Sequence, residues 1–331
     1  MSLALIVRAD QGGVGTQLWE IYRHVRPNKA LILVDGERPR GAPRLERYAD
    51  PGCEHRTAAH HPITDDTWEW FLDGTDTVFT VEGPYDNRLP KLCAQRGIRL
   101  VYHANPELWD ERYRGTTTRV WLPTSWEQDR VRDAEVMVMP VDRERCAFRQ
   151  RTSAATFLFP WGPAFHDRNG LELFLEATGQ VRADVRLVIA GLHPPDASHG
   201  RVEYLGEVEN YWGLYEEADV LVLPRRYGGL SLCIQEAASC GLPIVTLDRP
   251  PYGPELHRAG VVPSAGSYPA RMRGGRFDVH RCEPRVLAQR IDWLAREPGL
   301  VVEMSAASDR FAAGLDWVAH EETWRGRLHR E

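Results

Sequence analysis

The chain has 331 residues, of which 27% are charged and 43% are hydrophobic. This composition is typical of a soluble globular protein of about two domains, and it excludes a fibre, a disordered tail and a membrane-embedded chain. The formal net charge of -6 argues against the whole chain as a general polyanion binder, because such binders need a strongly positive surface.

Short apolar runs alternate with amphipathic segments of helical length along the whole chain. In the first half they predict strands at residues 3–9, 29–35, 76–82, 98–104 and 118–124, with helices that include 16–25 and 87–96. In the second half they predict strands at residues 155–162, 184–191, 201–208, 218–224 and 241–248, with helices that include 170–181 and 231–239. Such alternation is the pattern of parallel sheets covered by helices. The sequence therefore predicts an α/β fold with two Rossmann-like domains facing across a cleft, where a ligand binds outside the carboxyl ends of the strands.

A polar, Arg-rich stretch near residues 141–152 interrupts the apolar pattern and predicts a domain boundary. We expect an N-terminal domain over 1–145, a C-terminal domain over 146–305, and helices over 306–331 that pack back toward the N-terminal domain. The first apolar run lacks the basic region of a signal peptide, and no apolar stretch approaches the roughly 20 residues that span a bilayer. These features predict a cytoplasmic protein without membrane insertion.

The segment RADQGGVGTQLWE places three glycines between the first strand and the first helix. Glycines there allow a sharp turn and bring an anionic ligand close to the amides of the helix start. The dinucleotide fingerprint G-x-G-x-x-G would begin at Gly13 and Gly15, but Leu18 stands at its third glycine position. An NAD-dependent oxidoreductase remains an alternative on this loop. The chain has no P-loop sequence G-x-x-x-x-G-K-[ST].

The most specific stretch is YEEADVLVLPRRYGGLSLCIQEAASCGLPIVTLD, at residues 215–248. It predicts a strand, a tight glycine turn, a helix that opens near Leu230, and another strand. This stretch resembles the donor-binding half of the retaining group 1 glycosyltransferases, which have the GT-B fold. The matching residues are Gly229, Leu232, Glu236, Ala237, Gly241 and Pro243.

The resemblance implies a metal-independent, retaining hexosyl- or pentosyltransferase that uses a nucleotide sugar, with a UDP-sugar as the leading candidate and no further cofactor. It implies that Glu236 contacts the ribose and that the amides of Leu230 and Ser231 contact the diphosphate beside Gly229. Gly228 stands where the family has a further Glu that contacts the transferred sugar.

Further roles follow from the same resemblance. The family's diphosphate-binding Arg falls on Pro163, so Arg168 is the predicted cation, with His166 as its companion; the turn at residues 206–211 is the predicted nucleobase site.

In the first domain, Gly13 and Gly15 match a glycine loop near the donor, and His103 matches a His that approaches sugar and acceptor. Asp10 and Glu82, at carboxyl ends of predicted strands, are predicted to orient or deprotonate an acceptor hydroxyl. The chain has no D-x-D and no cluster with metal-ligand spacing, which predicts no metal site.

A basic segment at residues 268–285 predicts a hairpin or loop with Arg271, Arg273, Arg276 and Arg281. It is interpreted either as a solvated surface or as a phosphate- or nucleic-acid-binding edge.

Relatives of similar size and Arg-rich composition include enzymes that glycosylate hydroxymethylated bases in phage DNA. DNA is therefore one predicted acceptor, beside a small molecule, a lipid or a glycan. Because Gly228 replaces the family's Glu, a non-catalytic protein that binds a nucleotide sugar or nucleic acid is a third alternative.

Overall fold

The computed structural model describes residues 1–10, 12–34, 43–59, 62–115, 119–145, 147–162, 165–191, 200–206, 208 and 211–329. The chain forms two compact units. Unit 1 comprises Met1–Pro140 and Trp317–Glu331, and unit 2 comprises Val141–Asp316. The end of the chain therefore belongs to the same compact unit as its beginning.

Unit 1 is built on a parallel sheet with the strand order β3-β2-β1-β4-β5-β6-β7. Its strands are β1 Leu3–Arg8, β2 Lys29–Val34, β3 Glu54–Ala59, β4 Thr77–Val81, β5 Arg99–His103, β6 Arg119–Leu122 and β7 Glu135–Val136. Its α-helices are α1 Gly13–Val25, α2 Asp65–Leu72, α3 Leu89–Arg96 and, from the end of the chain, α10 Trp317–His329.

Unit 2 is built on a second parallel sheet, with the order β10-β9-β8-β11-β12-β13, and carries a separate antiparallel hairpin of β14 and β15. Its strands are β8 Thr156–Pro160, β9 Arg186–Ala190, β10 Val202–Tyr204, β11 Val220–Val222, β12 Ile244–Leu247, β13 Val261–Val262, β14 Gly266–Met272 and β15 Gly275–Arg281. Its α-helices are α4 Leu171–Thr178, α5 Tyr211–Glu217, α6 Leu232–Ser239, α7 Tyr252–Glu255, α8 Pro284–Leu294 and α9 Pro298–Ala313.

Both sheets confirm the predicted α/β architecture, and each has a point where the strand order reverses. In unit 1 this point lies between β1 and β4, and in unit 2 it lies between β8 and β11. Loops that leave the carboxyl ends of the strands at such a point surround the usual ligand site of an open parallel sheet. The loops after β1 and β4, and those after β8 and β11, are therefore the places to look for function.

The sequence did not predict three short or exposed strands. Strand β3 lies at the edge of its sheet and exposes most of its side chains, so it lacks an apolar run. Strands β7 and β13 have two residues each, which is too short for a pattern of alternation. The central strands are buried on both faces, as β4 shows throughout its length. Their apolar runs therefore predicted them clearly.

Aromatic packing holds the C-terminal helix α10 within unit 1. The Trp324 ring is fully buried and lies edge-on to Phe79 and Trp121, at centroid distances of 5.9 and 5.8 Å. Its indole Nε1 donates a hydrogen bond of 3.1 Å to the carbonyl of Val138. In the described part of the chain, no helix combines the length and the apolar character that crossing a membrane requires.

Gly241 shows why the end of α6 requires glycine, as the sequence motif suggested. Its φ is +83°, and a Cβ at this position would overlap the carbonyl oxygen of Arg149. We expect Gly241→Ala to lower the free energy of unfolding by about 1–3 kcal/mol, because it adds both backbone strain and a clash.

Thermal unfolding checks this expectation, with Gly179→Ala as the matched control. Gly179 has a φ of -65°, and a Cβ added to it would have the Glu176 carbonyl oxygen as its nearest neighbour, at 3.7 Å. The control should therefore keep the wild-type midpoint. Equal midpoints for the two variants would contradict the role assigned to Gly241.

Candidate functional site

Two loops of unit 2 lie side by side at the carboxyl edge of its sheet. One follows β8 and leads to α4, and the other is the β11–α6 turn, residues 223–231. A Cβ on Gly170 would lie 2.6 Å from the carbonyl oxygen of Pro224, which shows how closely the loops approach. The Arg226 amide donates to the Arg168 carbonyl at 2.8 Å. The described parts of the two loops are therefore in direct contact at the point where the strand order reverses.

The β11–α6 turn leaves backbone amides available to a ligand. Gly228 has a φ of +92° and Gly229 is buried. Within the described residues, the amides of Gly229 and Leu230 have no hydrogen-bond acceptor. A buried amide without an acceptor costs roughly 1–3 kcal/mol, and most such groups in native proteins are paired. Helix α6 begins directly afterwards, and its amino end favours an anion.

Two buried arginines hold the carbonyls of this turn. The Arg249 guanidinium, 4% exposed, donates to the carbonyls of Gly228 and, at 3.1 Å, Arg225. The Arg225 guanidinium, 5% exposed, donates to the carbonyl of Leu230. The Gly228 carbonyl shares its peptide group with the Gly229 amide, so its bond to Arg249 holds that amide in the orientation without an internal partner. The Arg225 bond to the Leu230 carbonyl fixes the end of the turn, where the Ser231 amide follows.

The Ser231 amide differs from its neighbours. It donates a buried hydrogen bond of 2.6 Å to the Tyr252 hydroxyl, so the predicted contact of this amide with a diphosphate is already replaced by a protein contact. Burial raises the pKa of Tyr252 to about 12, while the nearby Arg225 and Arg249 act in the opposite direction. The phenol is therefore a neutral, fixed partner of the turn. Gly229 and Leu230 are the two turn amides that remain for a ligand.

The loop after β8 places Arg168, the predicted cation, beside the β11–α6 turn. The two residues before it, His166 and Asp167, have left-handed backbones with φ of +52° and +47°. Asp167 accepts a hydrogen bond of 2.7 Å from the Leu171 amide at the start of α4 and lies 3.4 Å from the Arg226 guanidinium. Burial raises the pKa of Asp167, against the opposing effects of those two partners. Pro163, where the family's Arg would fall, lies outside the described residues.

Glu236 lies on α6, six residues beyond Leu230, and is partly exposed. The Tyr215 hydroxyl donates to its Oε2 at 3.0 Å. Burial raises the pKa of Glu236, whereas Tyr215 and the positive charge of Arg145 oppose that rise. Gly228, in place of the family's further Glu, has the left-handed backbone that glycine favours, so any side chain at this position would be strained.

The predicted nucleobase turn is described only in part. Residues 207, 209 and 210 lie outside the described residues. Gly206 has a φ of +73°, and its carbonyl accepts from the Gly191 amide at 3.0 Å.

The carboxyl edge of unit 1 brings Asp10 and Glu82 together around Arg8. The Arg8 guanidinium lies 2.5 Å from Asp10 Oδ2. Burial would lower the pKa of Arg8, but Asp10, Tyr85 and Glu82 outweigh it and leave that pKa raised. The Asn105 amide donates to Glu82 Oε1 at 3.5 Å. The structure thus joins the two predicted carboxylates in one polar cluster.

The glycine loop of unit 1 contributes to the start of α1. The Gly12 amide donates to Asp10 Oδ1 at 2.7 Å. A Cβ on Gly15 would overlap the Asp10 carbonyl oxygen, so glycine is required there for α1 to pack against the end of β1. Gly13 has open space at its Cβ position. Of the two predicted loop glycines, Gly15 has a clear packing role and Gly13 is the one with room for a ligand.

His103 requires a correction, because the structure places it in the core of unit 1. It is 1% exposed. Its Nδ1 lies 2.9 Å from Gln17 Nε2, and its Nε2 lies 2.8 Å from the Met137 carbonyl. Burial lowers its pKa to about 4, against the effect of the Met137 hydrogen bond. The imidazole is therefore neutral, donates to Met137 and accepts from Gln17, and it has no free atom with which to act on a sugar or acceptor.

The predicted basic hairpin is present and is fixed to the β11–α6 turn. Arg226 Nε donates to the His280 carbonyl and the His280 amide donates to the Arg226 carbonyl, both at 3.0 Å. Tyr227 packs with Ala270 and Val279 of the hairpin. The four predicted arginines, Arg271, Arg273, Arg276 and Arg281, are all exposed. They lie on an element that is attached to the candidate site.

Three residues of this site were not predicted from the sequence: Arg225, Arg249 and Tyr252. Arg225 stands three residues before the glycine pair and Arg249 two residues after β12, so their positions just past strand ends were a signal. Nothing in the sequence pattern distinguishes a buried Arg that binds carbonyls from a solvated one.

Comparison with known proteins agrees with this architecture. Residues 158–295 match the model of the family Glycosyl transferases group 1. The structure of Anabaena Alr3699/HepE in complex with UDP-glucose is similar with a TM-score of 0.72 and 14% identity, covering 99% of each chain. Sucrose-phosphate synthase from Thermosynechococcus elongatus has a TM-score of 0.69 and 14% identity, covering 100% of this chain and 98% of its own.

WaaG, a glycosyltransferase involved in lipopolysaccharide biosynthesis, has a TM-score of 0.61 and 13% identity, covering 99% of this chain and 100% of its own. At such identities the likeness shows the fold, and the predicted GT-B fold is confirmed. A sequence search of the curated proteins finds no match.

The buried His103 predicts a specific dependence of stability on pH. Its pKa is about 4 in the folded protein and about 6.5 when unfolded, so its contribution to stability is complete above pH 6.5 and is lost as the pH falls toward 4. We expect His103→Gln to reduce the slope of unfolding free energy against pH by up to about 1.4 kcal/mol per pH unit in this window.

Urea unfolding of both proteins at pH 7.5, 6 and 5 measures the slope. Each slope is a difference between unfolding free energies of the same protein at different pH values. A constant loss of stability caused by the substitution therefore cancels. Identical slopes would show that His103 does not stay neutral in the folded chain.

Proposed function

We propose, from the premise that residues 158–295 match the family Glycosyl transferases group 1, that this protein transfers a sugar from a UDP-sugar to an acceptor hydroxyl. That family match supports the predicted enzyme class. The observation that carries the proposal is the β11–α6 turn, in which the amides of Gly229 and Leu230 have no acceptor among the described residues. A diphosphate supplies the anionic oxygens that such amides need.

We assign the donor to unit 2 by the chemistry of each group. The diphosphate binds the amides of Gly229 and Leu230 and the guanidinium of Arg168, because Arg suits bidentate contacts with phosphate oxygens. The ribose hydroxyls bind the carboxylate of Glu236. The choice of uracil is supported by Alr3699/HepE, whose structure holds UDP-glucose.

The proposed reaction is a front-face displacement. The acceptor oxygen bonds to the anomeric carbon on the face that the diphosphate leaves, so the configuration is retained. The bond between that carbon and the phosphate oxygen breaks, its electron pair stays on the diphosphate, and the acceptor proton passes to the leaving phosphate. Arg168 and the two turn amides stabilise the developing charge, which is the task a metal ion performs in other enzymes. We therefore propose that no metal is required.

For the acceptor hydroxyl we propose contacts with the polar cluster of unit 1. Asp10 and Glu82 both lie beside Arg8 at the carboxyl edge of that unit. A carboxylate held in this way accepts a hydrogen bond from a hydroxyl and orients it. We assign His103 a structural role, since both ring nitrogens are already bonded.

Release of UDP from UDP-sugars tests the central proposal. We expect slow UDP release without acceptor, at a rate unchanged by EDTA, and an α-linked product from an α-linked donor by NMR. Arg168→Ala should lower kcat by about 10²- to 10³-fold, the usual effect of losing one donor to a transition-state oxyanion.

The matched control is Arg182→Ala, which removes an exposed Arg of unit 2 that precedes β9 at the amino edge of the sheet. Its kcat should be that of wild type. UDP binding without turnover would favour the non-catalytic alternative. Binding of NAD in place of every nucleotide sugar would favour the oxidoreductase.

We further propose DNA as a candidate acceptor, because of the hairpin. Arg271 and Arg276 are directly opposite each other in the β14–β15 register, and both are exposed. Like charges in directly opposed positions destabilise a strand pair unless an anion lies between or beside them. Residues 251–300 carry eight arginines against five acidic residues, although the chain as a whole is acidic. A phosphate backbone fits this local charge.

Electrophoretic shifts on duplex DNA containing hydroxymethylcytosine test this acceptor. The double variant Arg271→Ala and Arg276→Ala should bind more weakly than wild type and lower the slope of log affinity against log salt by about 2, the expected loss for two phosphate contacts. Arg182→Ala with Arg296→Ala removes the same charge away from the hairpin and should leave binding unchanged. If wild type does not bind, or if the hairpin variant binds equally, DNA is rejected and a glycan, lipid or small molecule takes its place.

A further inference from the structure

We propose that Tyr215 is a positioning residue for Glu236 and that, through this carboxylate, it makes the donor site select a ribonucleotide over a 2′-deoxyribonucleotide. This inference rests on the proposed function and deepens it. Tyr215 is fully buried on α5, whereas Glu236 is partly exposed on α6. The tyrosine cannot itself reach a ligand from the surface, but its hydroxyl donates to Glu236 Oε2 at 3.0 Å.

The Tyr215 ring has a fixed position from which to hold the carboxylate. It packs edge-on against Trp212, with ring centroids 6.1 Å apart. Its backbone carbonyl accepts from the buried Arg151 guanidinium at 2.5 Å, and the Cys233 thiol lies beside its hydroxyl. A phenol has one proton to donate, and here that proton goes to the charged acceptor. The carboxylate therefore has one oxygen anchored to the core of unit 2.

The second carboxylate oxygen is the one available to a ligand. Among the described residues, Glu236 Oε1 makes no hydrogen bond. A carboxylate anchored through one oxygen presents the other in one direction, which suits the 2′-hydroxyl of a ribose. A site built to bind a hydroxyl discriminates strongly against the analogue that lacks it, because its polar group is left without a partner. Without the phenol, Glu236 could rotate and the discrimination would weaken.

The groups that face Glu236 also determine when it is charged. They are Tyr215 from α5, Cys233 from α6 itself, and Arg145 from the segment before β8. Burial raises the pKa of Glu236, and the Tyr215 hydrogen bond and the Arg145 charge oppose the rise. Removal of the hydroxyl should raise this pKa further. On acidification, the variant would then lose its affinity for a ribonucleotide at a higher pH than the wild type does.

Calorimetric titration with UDP and 2′-deoxy-UDP tests the inference on four full-length proteins: wild type, Tyr215→Phe, Glu236→Gln and Tyr22→Phe. Wild type should bind UDP about tenfold or more tightly than 2′-deoxy-UDP, the effect of one hydrogen bond to a charged group. Tyr215→Phe should reduce this ratio to near that of Glu236→Gln. Tyr22→Phe removes a comparably buried hydroxyl from unit 1 and should keep the wild-type ratio.

The pH profile of UDP affinity gives a second readout that a purely structural role for Tyr215 would not move. The acid limb assigned to Glu236 should shift to higher pH in Tyr215→Phe and be absent from Glu236→Gln. If Tyr215→Phe keeps the wild-type ratio and acid limb, the inference is overturned while the glycosyltransferase proposal stands. If wild type does not bind UDP, both are overturned. If wild type binds UDP but Glu236→Gln has the same ratio of affinities for UDP and 2′-deoxy-UDP, the ribose contact and this inference are both overturned. The diphosphate site is not affected by that result.

Discussion

The hydrogen bonds from two buried guanidinium groups to one turn are the interaction on which the candidate site depends. Arg225 and Arg249 bind the carbonyls of Leu230 and Gly228 from within unit 2. The Gly228 carbonyl shares its peptide group with the Gly229 N–H, so binding this carbonyl on the protein side directs that N–H away from the protein interior, while the bond to the Leu230 carbonyl anchors the end of the turn. The same two residues also add positive charge behind the turn, where an anion is favoured by the amino end of α6. The candidate anion site is therefore a product of buried packing as much as of the glycines that the sequence displays.

The left-handed Gly228 links this backbone geometry to the chemistry. At a φ of +92° a glutamate would be strained, so the turn that presents the amides is incompatible with the carboxylate that the family motif has at this position. In the proposed reaction, the contacts to the transferred sugar come from other groups. The polar cluster of Arg8, Asp10 and Glu82 shows that unit 1 also gathers charged side chains at the carboxyl edge of its sheet.

The sequence predicted most of the fold and the outline of the site, because both are local patterns. Apolar runs located the central strands, and the motif at 215–248 located Gly229 and Glu236. Long-range packing was not predictable. His103 has the position of many functional histidines at a strand end, but Trp324, more than two hundred residues later, covers it. Tyr252 binds the Ser231 amide from the start of α7, and no spacing in the sequence predicts that contact.

The most direct test of the diphosphate site is an NMR measurement of the Gly229 amide during titration with UDP. Glycine labelled with both ¹³C carbonyl and ¹⁵N amide isolates amides that follow another glycine, and the chain has three: Gly13, Gly229 and Gly275. We predict a saturable shift of the Gly229 signal, identified by its loss in Gly229→Ala, while the Gly275 signal in the hairpin turn stays in place. A Gly229 signal that does not move at saturating UDP would contradict the assignment of the β11–α6 turn as the diphosphate site.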